Sequence, residues 1–366
     1  PRLARRRRSV TRAAAALSRL SPFAPCPRVC IVRARRDQRR AQQGMTEKST
    51  ICLIGPKASG KSSLLASLTE CVAQGAFGYS PRLRPALQPV TEADFRAAAT
   101  EIRPADFLAH EEGDYERLKR DFALGGVATD TLDTYEYYFR LTVNGEAPPA
   151  IVTPGPWLLE IVDSAGEIAV PPDGAEIPIL NDVKTKLARQ LLASEAVVLV
   201  LPLVRLEDSA WIGALTRFID RLALAPDKKL RRLVVVFSQY ERLFVRLGPS
   251  AFTYACDPAV AWHVLRKSLR AAQWLERLRA LETGDGGASV RFTVASSYGF
   301  TKRFQNPNID PHQPGERRFR RASLEEARAS SEYWRPFLTA EPFLYAALGL
   351  DSAFTFSFAQ LDARTR

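Results

Sequence analysis

The segment that most constrains this chain is a glycine-framed loop between an apolar run and an amphipathic stretch. Residues 51–54 form the apolar run, which predicts a short buried strand that stops at Gly55. The loop closes with Gly60-Lys61-Ser62, after which leucines recur at helical spacing. A strand, a G-x-x-x-x-G-K-S loop and a helix in this order predict backbone N–H groups that surround a phosphate at the positive end of the helix. The predicted phosphate-binding residues are Gly55, Ser59, Gly60, Lys61, Ser62 and Ser63.

The last residues of this motif have distinct chemical roles. The lysine of such a loop reaches the β- and γ-phosphates, and the hydroxyl after it ligates Mg²⁺. Lys61 is therefore a candidate catalytic and binding residue, and Ser62 is a candidate metal ligand. The alternative is an ordinary glycine-rich turn before a helix, but the predicted strand and helix on either side favour phosphate binding.

The distribution of charge argues against a nucleic-acid partner. The chain has 366 residues and a net charge of +12, which at first suggests nucleic acid or an acidic membrane. Residues 1–44, however, hold 13 arginines and one acidic residue, and the remaining chain has 39 basic and 39 acidic residues. The folded body is therefore neutral, and we expect it to bind no nucleic acid. The basic tail is either a targeting segment or leader sequence upstream of Met45; we favour the second, and expect disorder in both cases.

Cysteine usage and hydropathy indicate the compartment. Five cysteines and three histidines are scattered without metal-ligand spacing, so neither a disulfide framework nor a zinc site is predicted. The longest apolar run, residues 196–204, is too short to span a bilayer. We therefore expect a soluble, cytoplasmic protein.

Apolar strands alternate with amphipathic helices through most of the chain, which predicts a parallel sheet covered on both faces. The predicted fold class is an α/β three-layer sandwich with a mostly parallel sheet and one antiparallel strand from a β-hairpin. The helix after the loop is predicted to run from Ser62 to about Gln74, and residues 79–128 are predicted to be an insertion. Strands are predicted at 135–143, 157–162, 196–201, 233–237 and 290–297, and helices at 180–191, 211–222 and 265–275.

Polar motifs follow the predicted strands at the edge where parallel sheets bind ligands. They are Asp163-Ser164-Ala165-Gly166-Glu167, Ser238-Gln239-Tyr240-Glu241 and Ser296-Ser297, with a threonine-rich segment at 129–134 before the hairpin. Together with the loop, this order resembles the motif series of the P-loop GTPases of the Ras-like (TRAFAC-type) superfamily over roughly residues 49–298. The resemblance implies a P-loop NTPase sandwich, with GTP (or ATP) and Mg²⁺ as cofactors.

The resemblance implies a metal and γ-phosphate site around the D-x-x-G motif. Asp163 would hold Mg²⁺, and the backbone N–H of Gly166 would sense the γ-phosphate. Thr131 is our choice for the switch threonine that closes over Mg²⁺, before Thr129 and Thr134. The alternatives are an ordinary turn at the strand end and loop threonines without a ligand.

One position of the motif bears on catalysis. Glu167 stands where Ras-like members have the glutamine that orients the attacking water. A carboxylate there could position water, but it would lie close to a charged γ-phosphate. We therefore expect slow hydrolysis, with Lys61 and Glu167 as the candidate catalytic residues.

The resemblance also implies a nucleobase site. Residues 238–241 stand where the family has N/T-K-x-D, whose Asp accepts hydrogen bonds from N1–H and the 2-amino group of guanine. Glu241 keeps both acceptors, and Gln239 keeps an aliphatic stem over the base but not the positive charge. The alternative is a capping box in which Ser238 starts a helix and Glu241 is its partner. Ser296-Ser297 stands at the last base-contacting loop, whose contacts come largely from the backbone.

The predicted organisation is a basic tail (1–44), a GTPase-like domain (45–298) with the insertion, and a C-terminal extension (299–366) packed on that domain. Within the extension, Phe354, Phe356 and Phe358 alternate like a strand. The layout is also similar to large bacterial GTPases of conflict and signalling systems (double-GTPase-like).

Three functional hypotheses follow from these motifs. The first is an Mg²⁺-dependent GTP-binding protein with slow hydrolysis, which acts as a nucleotide switch on a protein partner. The second is a P-loop ATPase or phosphotransferase, and the third is a scaffold that binds nucleotide without catalysis.

Overall fold

The fold is built on one sheet whose central parallel strands coincide with apolar runs of the sequence. Its strands are β1 (Lys48–Ile54), β2 (Leu83–Val90), β3 (Glu111–Glu112), β4 (Tyr135–Gly145), β5 (Trp157–Asp163), β6 (Ala196–Pro202), β7 (Arg232–Ser238) and β8 (Ser289–Val294). A second, two-stranded sheet pairs β9 (Ser296–Thr301) with β10 (Trp334–Phe337). The structure is a computed structural model that describes residues 48–75, 78–79, 83–91, 93–94, 111–112, 114–123, 134–145, 156–164, 190–203, 209–224, 229–270, 272, 274–284, 287–309 and 334–363.

Helices connect and cover these strands. They are α1 (Lys61–Ala66), α2 (Leu68–Gln74), α3 (Tyr115–Ala123), α4 (Ser209–Leu224), α5 (Ala251–Ala255), α6 (Pro258–Leu269), α7 (Leu275–Thr283), α8 (Glu341–Leu348) and α9 (Phe358–Asp362). A 3₁₀ segment, Tyr240–Ser250, follows β7. Among the described residues, no helix has both the length and the apolarity needed to cross a bilayer.

The order of strands in the main sheet is β2-β4-β5-β1-β6-β7-β8, and β3 pairs with β4. Strands β5, β1, β6, β7 and β8 run parallel to one another. Strand β4 runs antiparallel to β5, and β2 runs antiparallel to β4. The predicted fold class is confirmed: the chain forms a P-loop NTPase sandwich with a mostly parallel sheet and an antiparallel hairpin strand.

Helices lie over the central strands, and every residue of β6 is buried. Alternate residues of β6 and β7 form a core with apolar residues of α4, α6 and α7. Helix α8 packs against β1, β6 and β7. The guanidinium of Arg232, at the start of β7, donates hydrogen bonds to the carbonyls of Ala346 and Ala347, both at 2.8 Å, and so satisfies the end of α8.

Several local predictions differ from the structure. The helix after the loop ends at Gln74 as predicted, with Gly75 in the left-handed conformation, but a turn at Ser67 divides it into α1 and α2. The single helix predicted at 265–275 is two helices, α6 and α7. The strand predicted at 354–358 is wrong, because only Phe356 forms an isolated bridge and Phe358 begins α9. Most of the helix predicted at 180–191 lies outside the described residues.

Candidate functional site

The predicted phosphate-binding loop connects β1 to α1, and its geometry depends on two glycines. A Cβ at Gly55 would lie 2.3 Å from the carbonyl oxygen of Val200, so only glycine lets β1 end against β6. Gly60 precedes α1 with φ +89°, and Ala58 also has a positive φ of 59°. Between them, the N–H of Ser59 donates to the carbonyl of Pro56 at 3.1 Å, which closes the loop.

Lys61 begins α1 and turns its side chain back into the loop. Its ammonium donates to the carbonyl of Gly55 at 3.0 Å and to that of Pro56 at 3.4 Å. Burial lowers the pKa of Lys61, and the negative charge of Asp163 opposes that shift. Lys61 is therefore a buried cation at the base of the loop. An anionic ligand there would compensate for the hydration that its ammonium group loses on burial.

Ser62, in the first turn of α1, meets Asp163, the last residue of β5. The Ser62 hydroxyl donates to Oδ2 of Asp163 at 3.0 Å. Oδ1 of Asp163 is buried and finds no hydrogen-bond partner in the part of the chain that the structure describes. Burial raises the pKa of Asp163, whereas Lys61 and the Ser62 hydroxyl lower it. Burying a carboxylate with one unsatisfied oxygen costs free energy, and binding a cation or a hydrogen-bond donor at that oxygen would reduce the cost.

The donor set at this point suits Mg²⁺ only when a nucleotide supplies further oxygens. Within the described ranges, no three histidine, cysteine, aspartate or glutamate residues are grouped so that they could hold a metal. Mg²⁺ commonly uses one or two protein oxygens together with water and substrate phosphates. The Ser62 hydroxyl and the unsatisfied Oδ1 of Asp163 fit that pattern.

One of the three candidate threonines lies at this site. Tyr135 of β4 lies directly opposite Asp163 of β5 in the antiparallel pair, and Thr134 is the residue before Tyr135. Thr134 is buried, and its hydroxyl has no hydrogen-bond partner among the described residues. Thr131 and Thr129 lie outside those residues, as do Gly166 and Glu167. Ser164 is described, and its N–H and hydroxyl both donate to the carbonyl of Leu53, which anchors the start of the D-x-x-G motif beside β1.

The motif at 238–241 contacts the predicted phosphate-binding loop directly. The Ser238 hydroxyl donates to the carbonyl of Ser59 at 2.5 Å and to that of Leu201 at 3.3 Å. Gln239 has φ 63°, and its amide donates to the carbonyl of Ala58 at 3.5 Å. The capping-box alternative is wrong, because Gln239 precedes the 3₁₀ segment and the described residues provide no side-chain cap there.

Glu241 is buried, with 2% of its surface exposed. Burial raises its pKa to about 7, and a hydrogen bond with the Ser296 hydroxyl limits the rise. Its Oε2 atom has no hydrogen-bond partner within the described part of the chain. The carboxyl group therefore retains one unused acceptor at the end of β7.

Ser296 and Ser297 lie at the start of β9, next to Glu241. The Ser296 hydroxyl accepts a hydrogen bond from the N–H of Gly299 at 3.0 Å. The carbonyl of Ser297 accepts one from the indole N–H of Trp334 at 3.0 Å. Trp334 was not among the predicted site residues, and its only signal in the sequence was the apolar character of its neighbours.

Comparisons with known proteins provide no family assignment. No protein-family model and no curated protein matches the chain. Among solved structures, the S. cerevisiae Ski7 GTPase-like domain bound to GTP is 11% identical, with a TM-score of 0.35; the match covers 84% of this chain and 51% of that chain. The same domain bound to GDP and inorganic phosphate is 12% identical, with a TM-score of 0.35 and coverages of 76% and 50%. The G domain of the T. maritima FeoB iron transporter is 12% identical, with a TM-score of 0.27 and coverages of 69% and 89%. This chain thus spans about half the length of the two Ski7 chains. Structural similarities with such low TM-scores and sequence identities support no conclusion about function.

Proposed function

We propose that this protein binds GTP with Mg²⁺, hydrolyses it slowly, and acts as a nucleotide-dependent switch for a protein partner. The observation that carries the proposal is the Ser62–Asp163 pair beside buried Lys61, with Oδ1 of Asp163 left without a partner in the described residues. A glycine-rich turn with a purely structural role would need neither a buried cation nor an incompletely bonded carboxylate.

The phosphates would bind to the loop backbone from Gly55 to Ser63, including Ser59 and Gly60. Lys61 would exchange its contacts with two loop carbonyls for contacts with the β- and γ-phosphates. Bound Mg²⁺ would neutralise phosphate charge, with Ser62 and Asp163 as its protein ligands. Thr131 remains a proposed third ligand, and the buried hydroxyl of Thr134 makes it a rival for that role.

Guanine would be recognised by the carboxylate of Glu241. In its ionised form it can accept hydrogen bonds from both N1–H and the 2-amino group, and adenine offers neither in that geometry. The Ser296 hydroxyl already holds the carboxyl group, which reduces the entropy lost on binding. The stem of Gln239 and the backbone of Ser296-Ser297 would contact the base.

Slow hydrolysis would follow from the residue after the D-x-x-G motif. Gly166 would contact the γ-phosphate through its N–H, and Glu167 would orient the attacking water. The carboxylate of Glu167 would be repelled by the γ-phosphate, so we expect a low intrinsic rate that a partner could raise by supplying positive charge.

The test is nucleotide binding and turnover by the full chain and by Lys61→Ala. We expect Mg²⁺-dependent GTP binding and slow phosphate release by the wild type, and neither by Lys61→Ala. Lys267→Ala, which removes an exposed lysine from α6, is the matched control and should retain both. Equal GTP binding by Lys61→Ala would contradict the proposal. Binding without phosphate release, even with cell extract present, would instead support the non-catalytic scaffold.

A further inference from the structure

Trp334 begins the C-terminal segment of the described chain and contacts candidate-site residue Ser297 as well as α1, α2 and α3. Its indole N–H donates to the carbonyl of Ser297 at 3.0 Å. Its own carbonyl accepts a hydrogen bond from the side-chain amide of Gln74 at 2.9 Å, at the end of α2. Its ring packs with Ala66 of α1 and with Phe122 of α3.

These contacts are buried and specific in geometry. Trp334 is 6% exposed, and the Trp334 and Phe122 ring centroids are 5.5 Å apart. Phe122 also packs against Tyr298, the residue after Ser297, at 5.9 Å between ring centroids. A buried carbonyl without a donor is destabilising, so the Trp334 indole both satisfies the Ser297 carbonyl and restricts how its peptide can turn.

The neighbouring backbone shows how closely β9 and β10 are fitted together. Gly299 has φ +65°, and a Cβ there would lie 1.9 Å from the carbonyl oxygen of Arg335. Phe337 pairs with Ser296, whose hydroxyl contacts Glu241. The segment that carries Ser296 and Ser297 is therefore held from one side by Glu241 and from the other by β10.

We propose that Trp334 is a positioning residue for nucleobase recognition: its indole N–H fixes the backbone at Ser297, and its ring ties that segment to α1 and α3. The inference rests on the proposed function, in which the backbone of Ser296-Ser297 contacts guanine. It adds that base recognition depends on a residue from the C-terminal part of the chain, 37 residues away in sequence.

The test is Trp334→Phe, which keeps an aromatic ring against Phe122 but removes the indole donor. Its matched control is Trp262→Phe, because the Trp262 indole likewise donates to a backbone carbonyl, that of Gln360, at 2.9 Å. Both variants lose one hydrogen bond to a carbonyl. Binding of fluorescent GTP is measured, then its displacement by inorganic tripolyphosphate, which can occupy the phosphate loop but has no base. Melting temperature reports any general destabilisation.

We expect Trp334→Phe to weaken GTP binding about five-fold, the effect of one ordinary hydrogen bond, with tripolyphosphate affinity unchanged. Trp262→Phe should lower the melting temperature about as much as Trp334→Phe does, but should leave GTP affinity unchanged. The inference is overturned if Trp334→Phe binds GTP as the wild type does. It is also overturned if GTP and tripolyphosphate weaken equally, because Trp334 would then act only through Gln74 and the phosphate-loop helices.

A second variant keeps the inference testable if Trp334→Phe does not fold. Phe122→Leu removes the ring against Trp334 without altering the indole donor, so we expect a smaller loss of GTP affinity and unchanged tripolyphosphate affinity. No loss would overturn the inference. Failure of the proposed function has a different signature: the wild type itself would bind GTP no more tightly than tripolyphosphate, which would overturn both.

Discussion

Replacement of Glu241 by Gln tests guanine recognition through a change of base preference. The carboxamide keeps an acceptor for the Ser296 hydroxyl and nearly the same volume, but places an N–H₂ group where the carboxylate had its second acceptor. That donor opposes the 2-amino group of guanine, whereas xanthine has a carbonyl at position 2. We therefore expect Glu241→Gln to lose GTP affinity and to gain affinity for xanthosine triphosphate.

The expected loss of GTP affinity follows from the two hydrogen bonds between Glu241 and guanine. A hydrogen bond to a charged group contributes roughly 1.5–3 kcal/mol, and Glu241→Gln removes one while leaving two donors opposed. GTP affinity should fall roughly 10²-fold or more, and ATP affinity should change little. In the wild type, the pKa of Glu241 near 7 means that only about half of the carboxyl is ionised at pH 7. Wild-type GTP affinity should therefore fall about five-fold from pH 7 to pH 6, and the affinity of Glu241→Gln should not.

The assay is displacement of fluorescent GTP by GTP, xanthosine triphosphate and ATP at pH 6, 7 and 8. Glu276→Gln is the matched control, because Glu276 lies on α7 with 78% of its side chain exposed. The control should match the wild type with every nucleotide. Unchanged GTP affinity in Glu241→Gln, with no gain for xanthosine triphosphate, would refute guanine recognition by this residue.

Two further predictions concern other buried carboxyl groups. Asp163→Asn should abolish the Mg²⁺ dependence of GTP binding, yet should not lower the melting temperature of the nucleotide-free protein, because burial penalises the charge of Asp163. The control is Asp220→Asn: Asp220 lies on the outer side of α4, where its partly exposed carboxylate pairs with Arg277, so this variant should keep the Mg²⁺ dependence. Retained Mg²⁺ dependence in Asp163→Asn would exclude Asp163 as the ligand. Glu341 is fully buried, accepts a hydrogen bond from the N–H of Gly78 at 2.9 Å and has its pKa raised by burial to about 8, with Cys71 and Tyr79 nearby. Because the folded protein holds this proton more tightly than the unfolded chain does, stability should fall as pH rises from about 4.5 to about 8, by roughly 2 kcal/mol between pH 6 and pH 8. Glu341→Gln should reduce that decline in denaturant titrations, and an unchanged decline would contradict the assignment.

The sequence predicted the central parallel strands β1, β5, β6 and β7 because each is a nearly continuous apolar run. All seven residues of β6 are buried, and β5 is equally buried, so hydropathy alone marks both. Strand β2 was missed, because Pro85 and Pro89 and its exposed polar residues do not resemble a strand in sequence. β2 lies at the edge of the main sheet, where its one neighbour in the strand order is β4. Proline is tolerated in edge strands because one side of the strand makes no ladder hydrogen bonds.

The candidate site was predictable wherever its residues follow a strand within one motif. The contact between Ser62 and Asp163 follows from the parallel pairing of β1 and β5, which aligns Leu53 with Asp163. No local sequence motif could predict the contact between Trp334 and Ser297, because only the tertiary pairing of β9 and β10 brings the two residues together. The same limit applies to Thr134, whose burial beside Asp163 depends on the register of the hairpin.

The most direct test of guanine recognition is competition between GTP and ATP for the wild-type protein with Mg²⁺ present. We predict that GTP displaces bound fluorescent GTP at concentrations at least 10²-fold lower than ATP does, because a site that pairs both guanine donors rejects a base that lacks them. Displacement by ATP at equal or lower concentrations would contradict guanine recognition by Glu241 and would favour the ATPase or phosphotransferase hypothesis.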